Sequence, residues 1–272
     1  MSARSVFSKR RMYRIFRDDG RSLVVAMDHG GGLNVYPALA DPGRVLDAVV
    51  RGGADAVLTT PGILKQFPHE LRAIGVILRV DGGSSELRGG SGEYKLLFSV
   101  EDALRLGADA VACMGFPGSP LEAQTLGNLA TLAGQCQGWG LPLMAEMLPG
   151  GFVNFDLHTA ENTRLAARIG VELGADFIKT EFAKPAERFQ QVTENCYRPI
   201  LVLGGAKTED ERGLFTMVKM ALEVGAAGVV IGRNIWGHPR PEAMVAALRR
   251  MIHENASVDE ALDELVSPRV ES

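Results

Sequence analysis

The sequence predicts the α/β class and, within it, a single (β/α)8 (TIM) barrel spanning residues 1–272. Three observations carry that reading. Eight short apolar runs recur along the chain, amphipathic stretches of helical period separate them, and one phrase opens every second run. Strand, helix, strand at this interval requires parallel pairing through right-handed crossovers. Eight such strands in 272 residues argue for closure into a barrel rather than an open sheet.

The runs are Ser22 to Met27, Ala54 to Thr59, Gly75 to Val80, Ala108 to Met114, Leu141 to Met147, Ala175 to Thr180, Pro199 to Leu203 and Ala226 to Ile231. Between them lie helical patterns such as Pro42 to Arg51, Ser99 to Leu106, Leu121 to Cys136, Thr159 to Leu173, Asp210 to Val224 and Pro241 to Ile252. The phrase reads Gly53-Ala54-Asp55-Ala56-Val57, Gly107-Ala108-Asp109-Ala110-Val111, Gly174-Ala175-Asp176-Phe177-Ile178 and Gly225-Ala226-Ala227-Gly228-Val229. Each glycine falls where a helix C-cap is expected, and the small residue after it lets the chain turn into a strand. The phrase opens strands two, four, six and eight, as though a two-strand unit had been reused. A first helix is expected over about residues 5–19, where Met12, Ile15 and Phe16 share a face, and a helical tail over about 257–266.

Composition bounds the function. A chain that is 46% hydrophobic can build a large core, and a net charge of −4 supplies no basic field to gather nucleic acid or an anionic membrane. No apolar run approaches the roughly 18 residues of a spanning helix. Three cysteines, at 113, 136 and 196, show neither disulfide nor metal-clip spacing, which points to a reducing, cytoplasmic setting. The basic, acid-free stretch Met1 to Arg17 superficially suggests a transit peptide; a helix lying across the barrel accounts for it better. The five histidines are scattered, so no metal site and no cofactor are expected, and no glycine fingerprint for a dinucleotide follows strand one.

In a (β/α)8 barrel the chemistry gathers at the C-terminal ends of the strands, with phosphate after strands seven and eight. Strand seven runs into Gly204-Gly205 and strand eight into Gly232-Arg233. Glycine lets backbone N–H groups approach an anion, and Arg233 offers a planar cationic fork for phosphate oxygens. Strand six ends Phe177-Ile178-Lys179-Thr180-Glu181. A lysine finishing an apolar strand is either a desolvated amine nucleophile or one half of a structural ion pair, for which Glu181 has the right parity. Strand one ends Asp28-His29, where Asp28 is either a proton acceptor or a turn cap, and His29 lies beside room left by glycines. Strand five ends Glu146-Met147-Leu148; apolar neighbours would raise the Glu146 carboxyl and make it an acid or base, or it pairs with Lys179.

These residues resemble the archaeal-type class I fructose-bisphosphate aldolases and their relatives, the aminodideoxyheptulosonate synthases and the autoinducer-2 phosphate thiolase. The likeness runs from about Arg14 to Leu262. It is strongest at Met27-Asp28-His29-Gly30, Phe116-Pro117-Gly118-Ser119, Ile178-Lys179-Thr180, Gly204-Gly205-Ala206-Lys207-Thr208 and Gly232-Arg233-Asn234-Ile235-Trp236. The resemblance implies a lyase in which Lys179 forms a Schiff base with a phosphorylated sugar or ketone. It makes Asp28 an active-site carboxylate, and the loops at Gly204, Gly205, Gly232 and Arg233 a phosphate cradle. It also implies a large ring-like homo-oligomer, with ten subunits as the candidate number. One departure stands out: the aldolases and heptulosonate synthases of the family usually carry a tyrosine before the strand-five proline, the thiolase branch lacks it, and here that residue is Leu148. Either Glu146 takes over the proton work, or the reaction differs from fructose-bisphosphate cleavage; the alternative reading is a thiolase or transaldolase-type synthase on the same lysine. A barrel that binds sugar phosphate without catalysis is the third reading.

Overall fold

Each apolar run forms one strand of a closed parallel barrel: β1 (Ser22–Ala26), β2 (Ala56–Thr59), β3 (Gly75–Arg79), β4 (Ala110–Gly115), β5 (Leu143–Met147), β6 (Phe177–Thr180), β7 (Ile200–Leu203) and β8 (Gly228–Ile231). The computed structural model describes residues 7–31, 35–85, 87 and 93–266. Strands follow in chain order around the ring, and β8 returns to pair with β1, Ser22 opposite Gly228. The helices are α1 (Pro42–Gly52), α2 (Pro61–Gln66), α3 (Pro68–Leu71), α4 (Val100–Arg105), α5 (Glu122–Trp139), α6 (Ala160–Glu172), α7 (Ala186–Asn195), α8 (Glu211–Glu223), α9 (Arg233–Trp236), α10 (Pro241–His253) and α11 (Val258–Val266). None of the described helices is long and apolar enough to cross a membrane.

Because side chains alternate along a strand, each strand feeds two cores. Outward residues such as Val25, Val57, Leu78, Val111, Ile178 and Val202 pack under the helices. Inward residues Val24, Ala26, Leu58, Ile77, Ala112, Met144, Phe177, Leu201 and Val230 fill the barrel. The next inward positions toward the C-terminal end are Asp28, Arg79, Glu146 and Lys179, so the same parity that builds the core delivers charge to the mouth.

The repeated phrase has a structural purpose beyond its glycine turns, which hold φ of +87° at Gly53, +83° at Gly107, +106° at Gly174 and +96° at Gly225. In three copies the aspartate accepts a backbone N–H at or beside the start of the preceding strand. Asp55 takes Leu23 N at 2.7 Å, Asp109 takes Val76 N at 3.0 Å, and Asp176 takes Leu143 N at 2.9 Å. Each also meets a cation from the amino-terminal segment: Arg17 on Asp55, Arg14 on Asp109 at 3.7 Å, and Lys9 on Asp176 at 2.7 Å. The basic stretch is therefore a clasp over the barrel floor, while Met12, Ile15 and Phe16 plug it from below.

This geometry replaces the expected first helix. Of residues 5–19, positions 5 and 6 lie outside the described residues, and the rest holds a five-residue 3-10 helix, Arg10–Arg14. Cations spread to three strand starts and apolar side chains driven into the barrel leave no stretch for regular i to i−4 bonding. The far end joins the same clasp. His253 lies between Asp19 at 2.7 Å and Asp55 at 2.9 Å, and Arg21 donates to Ile252 O at 2.6 Å. α11 packs on α8 and α10, with Arg250 reaching Glu264 at 3.3 Å. A short antiparallel ribbon, Asp81–Gly82 with Lys95–Leu96, follows β3 and has no counterpart in the sequence reading.

Lys9 and Asp176 form a nearly buried pair, and removing one partner strands the other charge. Lys9→Met is expected to lower unfolding free energy by about 3 kcal/mol in urea titration; an unchanged midpoint would show the clasp to be ornamental.

Candidate active site

Parallel register places Glu146 of β5 beside Lys179 of β6. The Lys179 amine lies 2.7 Å from Glu146 Oε1, and both side chains are buried. Glu146 Oε2 meets a second cation, the guanidinium of Arg79 at the end of β3. Arg79 is itself buried and spreads its donors: Nε to Asp28 Oδ2 at 2.9 Å, and Nη1 to Asp81 Oδ1 at 3.3 Å. The other Asp81 oxygen accepts Met114 N at 2.7 Å. Lys179, Glu146, Asp28, Arg79 and Asp81 therefore form one hydrogen-bonded network drawn from β1, β3, β5 and β6.

Charges in that network set each group's protonation. Burial pushes the Asp28 and Glu146 carboxyls up, but the cations beside them more than offset it, Arg79 foremost for Asp28 and Lys179 for Glu146. Both carboxyls end below their ordinary values. The raised Glu146 carboxyl expected from apolar neighbours is thus corrected: its contacts are two cations. Asp81 moves the other way, because burial outweighs Arg79 there. Arg79, in the presence of Glu146, Asp28 and Asp81, is held well above its ordinary value despite burial.

His29 follows Asp28, with its ring edge-on to Trp236 at 5.4 Å and to Tyr36 at 5.8 Å. Burial lowers its pKa, and its Nδ1 is buried without a hydrogen-bond partner. Across from it stand the two glycine loops. Gly205 has φ +65° with open space where a Cβ would be, whereas a Cβ on Gly232 would come within 2.5 Å of Ala26 O and 2.9 Å of His29. Asn234 ties the loops together, donating to Gly204 O at 2.9 Å and Ala206 O at 3.0 Å while accepting Thr208 N at 2.8 Å. Arg233 is half-buried at the end of β8.

All eight residues singled out in the sequence sit at the C-terminal ends of strands or in the loops that follow. Lys179, Glu146 and Asp28 are joined through contacts; Gly204 and Gly205 are tied to the β8 loop by Asn234, and Gly232 packs against His29. Arg79, Asp81 and Asn234 were missed. Arg79 and Asp81 share the inward parity of Ile77, a signal present in the sequence one residue either side of Val80. Tyr94 also escaped notice: its ring packs on Phe116 at 5.1 Å, and burial keeps its phenol protonated. Glu181, the alternative partner for Lys179, instead pairs with His158 at 2.8 Å.

A (β/α)8 barrel with a buried lysine at the mouth of β6, paired to a carboxylate, is the arrangement of an aldolase. The chain belongs to the DeoC/LacD family of aldolases, whose sequence model matches residues 22–238. It is 35% identical over 252 residues to the 2-amino-3,7-dideoxy-D-threo-hept-6-ulosonate synthase of Halobacterium salinarum, covering 93% of this chain and 94% of that protein. It is 32% identical over 266 residues to an aldolase of Saccharolobus solfataricus, covering 94% and 97%. Among solved structures, it superposes with a TM-score of 0.81 on an archaeal fructose-1,6-bisphosphate aldolase whose catalytic lysine is covalently bound to the carbinolamine intermediate. That pair is 30% identical, over 89% of this chain and 98% of the other.

Carboxyls lowered in the folded state stabilise it above their ordinary values of 3.8 for Asp28 and 4.5 for Glu146, and that stability is lost as pH falls through the lower folded values. Removing Arg79 takes away a cation and raises both. Arg79→Met is expected to lose about 3–5 kcal/mol at neutral pH and to begin acid unfolding at higher pH than the parent. Parallel acid curves for the two proteins would refute the network's charge assignment.

Proposed function

We propose that the chain is a class I aldolase acting on a phosphorylated ketose or ketone, with Lys179 as its imine-forming nucleophile. The observation that carries this reading is the buried Lys179 amine at 2.7 Å from Glu146 Oε1, in a mouth that also holds two glycine loops. Glu146 takes the ammonium proton, which leaves a neutral amine able to add to a carbonyl carbon. Loss of water gives a protonated imine that draws electrons from the neighbouring carbon–carbon bond. The bond opens to an enamine as a proton leaves the substrate hydroxyl; reprotonation and hydrolysis release the second product. Asp28 and Arg79 hold Glu146 in place and balance the charge that appears on Lys179. Gly204, Gly205, Gly232 and Arg233 receive the phosphate, and His29 presents a donor or acceptor to the substrate.

A second reading keeps the same lysine but transfers the ketone fragment, as a thiolase or transaldolase-type synthase would. The buried Leu148, which cannot exchange a proton, favours the thiolase form of it, and the likeness to the Halobacterium salinarum synthase favours the synthase form. The two differ in whether a free aldehyde appears. Free, buried cysteines at 113, 136 and 196 support a reducing, cytoplasmic setting. Exposed apolar side chains at Phe152, Val153 and Phe155 support a homo-oligomer, readable by native mass measurement, with a decamer as the specific expectation.

Borohydride reduction with a panel of phosphorylated ketones, dihydroxyacetone phosphate among them, is expected to leave a stable adduct on Lys179 by peptide mass. Lys179→Ala should lose turnover by several orders of magnitude. Should no ketone be trapped by folded protein, or should Lys179→Ala turn over normally, the imine mechanism falls. Arg233→Gln, losing a charged hydrogen bond to phosphate, should raise KM by about 10- to 100-fold with less change in kcat.

A further inference from the structure

Carbon–carbon chemistry on an imine needs a group that takes a proton from a substrate hydroxyl and returns one to carbon. Of the carboxylates around Lys179, Glu146 and Asp81 have both oxygens engaged and Asp28 has one. Glu146 gives one oxygen to Lys179 and the other to Arg79. Asp81 gives one to Arg79 and one to the Met114 N–H, and Asp28 is bonded to Arg79.

Glu181 differs. It follows directly on the last residue of β6, Thr180, and stands two residues on from Lys179. Its Oε2 lies 2.8 Å from His158 Nδ1, and His158 Nε2 lies 2.9 Å from Gly151 O. Its Oε1 is buried with no hydrogen-bond partner, and no other carboxylate oxygen among the described residues is left so. A buried oxygen with open lone pairs costs about 1–3 kcal/mol unless something fills it, which marks a place made for a donor.

The histidine contacts also count protons. A peptide carbonyl only accepts, so Nε2 of His158 carries a hydrogen. Nδ1 faces the Glu181 carboxylate. The ring lies tilted at 50° against Phe155, 5.0 Å between centroids, and the loop that carries it is pinned by the bond to Gly151. A carboxylate with one oxygen held by a histidine and the other open, two residues on from an amine nucleophile, is built to pass protons.

We propose that Glu181, through Oε1, is the proton-transfer group of the carbon–carbon step, with His158 as its positioning residue; this rests on the Lys179 imine reading. In cleavage, Oε1 takes the proton of the substrate hydroxyl as the C–C pair moves into the enamine and the iminium nitrogen is neutralised. The same oxygen then gives its proton to the enamine carbon, regenerating the iminium that water hydrolyses. One proton is taken and one returned, so the carboxylate ends as it began. In the reverse direction it draws a proton from the carbon next to the imine carbon, leaving the enamine.

The reverse step can be read without knowing the aldehyde. With dihydroxyacetone phosphate in D2O, the parent should exchange carbon-bound hydrogen for deuterium, followed by proton NMR, and should be trapped on Lys179 by borohydride. Glu181→Gln, equal in shape, should slow exchange and cleavage by about 100-fold or more while trapping stays within about threefold. A group that merely held the loop would move all three together. If Glu181→Gln does not fold, Glu181→Asp, which withdraws the oxygen by one methylene, is read in the same assays with the same expected split. Exchange within about threefold of the parent, or trapping lost in step with exchange, would overturn the assignment. A parent that traps no ketone removes the Lys179 reading itself, and this inference with it.

Discussion

One carboxylate facing two cations governs the mouth of this barrel. Glu146 is buried where a lone anion would be costly, and it is tolerable only because Lys179 and Arg79 each take one of its oxygens. In the proposed imine reading, a proton passed from Lys179 to Glu146 neutralises both together and leaves the net charge of the buried network unchanged. Arg79 then keeps the site organised whichever of the pair holds the proton, because Asp28 and Asp81 still anchor its guanidinium.

Most of the architecture was legible because period and parity are backbone properties. All eight strands appeared as apolar runs, and their ends named Lys179, Glu146, Asp28 and the glycine loops. What escaped was decided by contacts. The sequence of β3 stops being apolar at Arg79, and reading the run through Val80 hid two inward charges on either side of it. The ribbon that follows is two residues per strand, too short for any periodicity. The Glu146 carboxyl went in the opposite direction to the expectation, since burial and two cations compete and only geometry tells which is nearer. His158 gave no signal, because its partner lies in the loop of the next strand.

The repeated phrase shows how local and global requirements merge. Its glycine serves the turn, its alanine fits under a helix, and its aspartate bonds to the chain beside the neighbouring strand's start. The fourth copy has Ala227 in place of the aspartate, and β8 is also the strand that must meet β1 rather than a later neighbour. The amino-terminal segment answers the three aspartates with three cations, so its charge records the repeat it covers. Lys9, Arg14 and Arg17, three cations of the basic stretch, are used in this seating.

The clasp imposes an order on synthesis. The plug residues and β1 leave the ribosome first, yet Arg21 finds its acceptor on Ile252, 231 residues later. At ordinary elongation rates of about 5–20 residues per second that is roughly 10–50 s of waiting. For that interval the basic arm has acidic partners arriving one at a time, Asp55, then Asp109, then Asp176, and β1 has an open edge until β8 is made. The nascent chain must therefore be kept from pairing that edge with a neighbour until β8 has been made.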